Sequence, residues 1–200
     1  MPRFSEAISE GDGISIIPVL AGDIARLAAA AEDAGAEAVA VASLADAARV
    51  RDGTDLPVVV RAENVEAASG AGADACILAF DASGEEPGWI DEQYALARDL
   101  GLDCAVDVRN EEALERALER VDPDIILISK RGGDGGEEDL ERTLDLLPDV
   151  PAGKLVISES RVFAREQVLA LERAGIDAVL VAVDEAGFAD AVAELTGRAS

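Results

Sequence analysis

Gly101–Val121 runs GLDCAVDVRNEEALERALERV. The glycine follows a helical stretch ending at Leu100, at a point where a left-handed cap is wanted and other residues resist it. Cys104–Val108 is an apolar run too short for a helix and reads as a strand buried on both faces. Asn110 stands where an N-cap belongs. In Glu111–Val121 the residues Leu114, Ala117, Leu118 and Val121 form one apolar stripe with charges opposite. The stretch therefore holds an αβ junction, a buried strand and the amphipathic helix that follows it.

The opening signal recurs. Gly35-Ala-Glu-Ala-Val, Gly72-Ala-Asp-Ala-Cys and Gly175-Ile-Asp-Ala-Val each close an Ala- or Leu-rich helical stretch and open an apolar run. Working outward from these marks predicts strands near Ile14–Val19, Ala38–Val41, Pro57–Arg61, Ala75–Phe80, Cys104–Val108, Ile125–Ser129, Leu155–Ser158 and Ala178–Val181. Helices begin near Asp23, Leu44, Asn64, Ile90, Glu111, Glu137, Arg165 and Gly187, with Asp23 and Asn64 at N-cap positions. Eight alternating units predict an α/β chain folded as one (βα)8 TIM barrel over residues 1–200, compact, with short loops and little or no N-terminal extension. An open doubly wound sheet would carry a Gly-rich G-x-G-x-x-G after its first strand, and Leu20-Ala-Gly-Asp23 lacks it.

Half of the residues are apolar but aromatics are only 3%, so the core must be built from Ala, Val, Leu and Ile. Acidic residues number 42 against 17 basic ones, giving a net charge of −25. Such a surface repels nucleic acid and anionic lipid. Only Lys130 and Lys154 are lysines, and this acidic, lysine-poor surface resembles that of cytoplasmic proteins from extreme halophiles, the alternative being an ordinary acidic protein. In molar salt the Debye length of about 3 Å screens the self-repulsion. Cys76 and Cys104 lie in apolar runs and read as small buried hydrophobes, which fits a reducing compartment. MPRFSEAISEGDG has no apolar targeting core, and no apolar stretch reaches membrane-spanning length. Histidine is absent, which removes the commonest general base and the commonest metal ligand.

Barrel active sites lie at the carboxyl ends of the strands. Read in order, those ends carry Leu20, Ser43, Arg61-Ala-Glu63, Asp81, Asp107-Val-Arg109, Ser129-Lys130-Arg131, Glu159-Ser160-Arg161 and Asp184-Glu185. Cations crowd this rim of a strongly acidic chain, and an anion site explains them. The alternative is that they balance Glu63, Asp81, Asp107 and Glu159 in ion pairs. Gly132-Gly-Asp-Gly-Gly136 reads as a flexible loop, either a lid over the mouth or a plain connector.

From Leu100 onward the chain resembles indole-3-glycerol-phosphate synthase, through LGLDCAVDVRNEEALERAL, EEDLERTLDLLPDVPAGKLVISES and LERAGIDAVLV. Upstream, DLPVVVRAENVEAASGAGADACILAF follows the family's third and fourth strands more loosely. The resemblance implies a (βα)8 enzyme of tryptophan synthesis, a carbon–carbon lyase without a cofactor. It closes the indole ring of 1-(2-carboxyphenylamino)-1-deoxyribulose 5-phosphate with loss of carbon dioxide and water. It also implies roles at matching positions. Glu159 and Ser160 match the strand-seven motif, and Arg131 matches the arginine after strand six. Asp107 stands for the strand-five glutamate, Arg61 for the strand-three lysine, and Ser129 and Lys130 for the strand-six asparagine pair. Arg161 replaces a glycine, and strand one, Ile-Ile-Pro-Val-Leu, has no lysine.

The expected catalytic set is Glu159, Asp107, Lys130 and Arg61, with Lys130 as a relocated general acid because a guanidinium is a poor proton donor. The expected substrate and phosphate set is Ser160, Arg161, Arg131 and Ser129, with no metal. The ligand is a small phosphorylated molecule, and the oligomeric state is left open. Three functions stay open: the synthase reaction, another reaction on a phosphorylated sugar or anthranilate-like anion, and a non-catalytic paralogue that binds a ligand or partner.

Overall fold

The computed structural model describes residues 4–11, 13–80, 88–129, 143–159 and 164–198. Eight strands pair in chain order and close on themselves: β1 Ser15–Leu20, β2 Val39–Val41, β3 Val58–Arg61, β4 Ala75–Ala79, β5 Asp103–Val108, β6 Ile125–Ile128, β7 Leu155–Glu159 and β8 Ala178–Ala182. Every neighbouring pair is parallel, including β8 on β1, where Ile17 lies beside Leu180. The helices are α1 Phe4–Ser9, α2 Ile24–Asp33, α3 Leu44–Val50, α4 Val65–Gly70, α5 Trp89–Leu100, α6 Glu111–Arg120, α7 Arg165–Ala174 and α8 Phe188–Thr196. Residues 143–146 are helical and run into a 3-10 turn, Leu147–Asp149. The start of the helix expected at Glu137 lies outside the described residues. None of the helices described is long and apolar enough to cross a membrane.

The Gly-x-Asp signal has two parts, and the structure explains both. Gly35, Gly72, Gly101 and Gly175 have φ of 87°, 81°, 69° and 100°, the left-handed turn that redirects each helix into a strand. After Gly72, Gly101 and Gly175 the aspartate two residues on satisfies backbone at the amino end of the barrel. Asp74 Oδ2 accepts Val58 N–H at 2.8 Å and Asp177 Oδ2 accepts Val156 N–H at 2.7 Å. Asp103 Oδ2 accepts the backbone N–H and the hydroxyl of Ser5, each at 2.9 Å.

Asn64 and Asn110 cap α4 and α6, accepting Ala67 N–H and Ala113 N–H at 2.8 Å. Asp23 occupies the N-cap position of α2, but its side chain makes no cap bond. It pairs instead with Arg26 Nε at 3.4 Å.

Two apolar layers hold the barrel. The outer one, between strands and helices, includes Val39, Val60, Leu78, Val106, Ile126 and Val179. The inner one fills the barrel with Ile17, Val59, Ile77, Leu127, Ile157 and Leu180, beside the alanines Ala38, Ala75, Ala105 and Ala178. Those small side chains leave a void, and Phe4 and Ile8 of α1 fill it from the amino end, at 0% and 1% exposure. The sequence reading placed no element before β1. The one available signal was Phe4 and Ile8 at i,i+4, a single pair in a helix too short for a period to show.

Candidate active site

Side chains alternate across a strand, so an inward residue fixes the direction of the one two places later. Val59, Ala105, Leu127 and Ile157 belong to the inner layer. The next inward positions, at the carboxyl end of the barrel, are Arg61, Asp107, Ser129 and Glu159. Four strands, β3, β5, β6 and β7, thus deliver four polar side chains to one mouth, whereas Ala42, Ala79 and Ala182 leave exposed methyl groups at the ends of β2, β4 and β8.

Arg61 spans the opening. Its Nη1 donates to Asp107 Oδ2 at 2.6 Å and its Nη2 to Glu159 Oε2 at 2.9 Å, tying β3 to β5 and β7. The Asp107 side chain is fully buried, Glu159 is 22% exposed and Arg61 37%. Burial by itself would lower the Arg61 pKa, but the charges and hydrogen bonds of Asp107 and then Glu159 outweigh it and raise it above the ordinary guanidinium value. Arg61 is therefore a fixed cation that orients two carboxylates.

The cluster is not saturated. Asp107 Oδ1 and Ser129 Oγ are both buried and, among the described residues, have no hydrogen-bond partner. They belong to adjacent strands, linked where Ser129 N–H donates to Val108 O at 3.1 Å. One is a charged acceptor and the other a hydroxyl able to donate or accept. Buried polar groups are nearly always paired, so two such atoms on neighbouring strand ends single out this part of the mouth.

Of the residues expected from sequence, Arg61, Asp107, Ser129 and Glu159 converge here. Lys130, Arg131, Ser160 and Arg161 lie outside the described residues, as do Asp81 and the Gly132–Gly136 loop. Glu185, also expected at the rim, is drawn away: Arg26 of α2 donates to its Oε1 at 2.5 Å. That clasp joins α2 to the loop after β8. Nothing in the sequence pointed to it, because Arg26 sits on a helix face and Glu185 is distant in the chain. Among the described residues no group of three or more Cys, Asp or Glu side chains is placed to hold a metal ion.

A closed parallel barrel with an ionic cluster at its carboxyl rim defines the class: a (βα)8 barrel with its polar site where enzymes of this fold carry theirs. The family profile described as "Indole-3-glycerol phosphate synthase" matches residues 20–186, and the chain belongs to that family. It is 36% identical over 138 residues to the indole-3-glycerol phosphate synthase of Variovorax paradoxus, covering 66% of this chain and 51% of that one. Against the Geobacillus sp. synthase the identity is 31% over 171 residues, 78% of this chain and 64% of the relative. The chain thus spans less than two thirds of the length of these relatives. Solved structures share the fold alone. They include an N-acetylmannosamine-6-phosphate 2-epimerase from Clostridium perfringens (TM-score 0.71, 16% identity, 96% of this chain and 93% of that one). A mutant tryptophan synthase alpha-subunit from Pyrococcus furiosus superposes with a TM-score of 0.69 at 17% identity, over 92% of this chain and 98% of that one.

Proposed function

We propose that the mouth binds a phosphorylated, anionic small molecule and carries out the family's ring closure, with decarboxylation and dehydration, in tryptophan biosynthesis. The observation that supports this best is the pair of free buried atoms, Asp107 Oδ1 and Ser129 Oγ, beside the Arg61–Asp107–Glu159 cluster. Asp107 has one oxygen held by Arg61 and the other free, the state of a carboxylate ready to take a proton from a substrate group. Ser129 holds a substrate hydroxyl or carbonyl next to it. Glu159 is the second proton-handling group.

Arg61 stands where the family resemblance calls for lysine. With a raised pKa it positions carboxylates and stabilises negative charge, and it does not act as a proton donor. The general acid in this reading is Lys130, and Ser160, Arg161 and Arg131 hold the phosphate through charge-assisted bonds. The reaction needs no cofactor. The acidic surface suits the protein to a salt-rich cytoplasm, with no nucleic-acid or membrane partner.

Turnover of 1-(2-carboxyphenylamino)-1-deoxyribulose 5-phosphate, followed by indole fluorescence, tests the reading. Glu159→Gln should lower the rate by about 100-fold or more, the usual scale for a lost acid–base group. The absence of both turnover and calorimetric binding up to millimolar substrate would sink the proposal. Binding without turnover would identify a diverged, ligand-binding paralogue.

A further inference from the structure

The chain has two cysteines, and the barrel sets them side by side. Cys76 on β4 and Cys104 on β5 are register partners, both free and buried, and both face the layer between strands and helices. Neighbouring strands lie about 4.7–4.9 Å apart. That spacing falls within the 4.4–6.8 Å over which Cα atoms are joined by a disulfide, near its short end.

Two small apolar residues would serve the packing here as well as two thiols do. A further observation separates the two cysteines from ordinary core. At the amino end of the barrel, opposite the mouth, a cavity of about 470 Å3 is lined by Tyr94, Arg98, Leu102, Asp103, Cys104 and Leu155, among others. Cys104 is 6% exposed and borders this cavity, whereas Cys76 is 0% exposed and does not line it. The two cysteines thus differ in their access to solvent, with Cys104 the nearer to it.

We propose that Cys76 and Cys104 form a redox-sensitive dithiol that closes to an intramolecular disulfide under peroxide, stapling β4 to β5. In the first step the Cys104 sulfur attacks a peroxide oxygen. The O–O bond breaks, one water leaves, and Cys104 becomes a sulfenic acid. In the second step the Cys76 sulfur attacks the Cys104 sulfur, the S–O bond breaks and a second water leaves. Two thiols lose two electrons and hydrogen peroxide gains them, giving one disulfide and two waters.

The hydrogen bond with Cys76, and then burial, push the Cys104 thiol far up, so Cys104 rests protonated and reacts slowly. The site is therefore silent under reducing conditions and responds to sustained oxidant. Closure acts on β5 three residues before Asp107, so it bears on the mouth through the strand itself.

The test uses the full chain, folded, treated with hydrogen peroxide and then unfolded in iodoacetamide. The expected product has lost about 2 Da and takes up no label. Trypsin should then release Ala62–Arg98 joined to Asp99–Arg109, and a monothiol reductant should separate them. Cys76→Ala should stop the reaction at a Cys104 sulfenic acid trapped by dimedone. The Cys104→Ala variant should give at least a 10-fold lower yield of trapped product. Full labelling of both cysteines after oxidation would overturn the proposal. So would oxidation of each to sulfinic or sulfonic acid without a bridge, or bridging only between two chains.

Discussion

The two ends of the barrel treat their carboxylates in opposite ways. At the amino end, Asp74, Asp103 and Asp177 each accept backbone N–H groups, from Val58, Ser5 and Val156, and α1 closes the opening with Phe4 and Ile8. At the carboxyl end, Asp107 and Glu159 are held by the one guanidinium of Arg61, and Asp107 Oδ1 and Ser129 Oγ keep unused hydrogen-bonding capacity. Backbone partners are fixed by the fold and tie these carboxylates to it. A side-chain cation and two free atoms hold the geometry open for a ligand. The amino end is built for stability and the mouth for binding, the division expected of this fold.

The plug gives the largest effect that can break this contrast. Phe4 is fully buried in the inner layer, so Phe4→Ala should cost about 3–5 kcal/mol, the range for a deleted core aromatic. Urea denaturation measures it. Ligand affinity at the far end should stay within a factor of two in whatever fraction remains folded. A loss under 1 kcal/mol would show that α1 merely rests on the barrel.

Most of the fold was legible in sequence because each unit carries its own punctuation. Gly101, Asn110 and the Leu114–Val121 stripe announce a turn, a cap and a buried face without reference to the rest of the chain. The mouth was half legible. Strand ends and the family motif picked out Arg61, Asp107, Ser129 and Glu159, yet no local pattern says that Arg61 holds two carboxylates from strands 46 and 98 residues away. Pairings of that kind follow from barrel closure, as do the Arg26–Glu185 clasp and the pairing of Cys76 with Cys104. The plug escaped for a different reason: two buried residues in six give no period.

The middle effect concerns sign. Ser129 Oγ is buried without a partner, so Ser129→Ala should leave stability unchanged or raise it by up to about 1 kcal/mol. Asp74→Ala at the other end removes the acceptor of Val58 N–H and the partner of Arg51, and should cost about 1–3 kcal/mol. Ligand binding should move the other way, weakened by Ser129→Ala and untouched by Asp74→Ala. Equal destabilisation by the two changes would erase the distinction between the ends.

The smallest effect tests whether the amino-end carboxylates carry a cost of their own. Burial raises the Asp177 pKa, and the Val156 N–H, which favours the charged form, only partly opposes it. A carboxyl group whose pKa is higher folded than unfolded binds its proton more tightly in the folded state. Protonation therefore stabilises the fold fully below the unfolded value of about 3.9, and that stabilisation is lost as pH rises through the higher folded value. Asp177→Asn keeps an oxygen for Val156 N–H and removes the charge. The variant should accordingly gain on the wild type as pH rises from acid to neutral, by about 2 °C or less in melting temperature, since Asp177 is only half-buried. Thermal melts of both proteins at matched salt across that range give the difference directly. A difference that shrinks with rising pH would mean that the ionised carboxylate is favoured in the fold, and that the amino end is stabilised by its charges as well as by its hydrogen bonds.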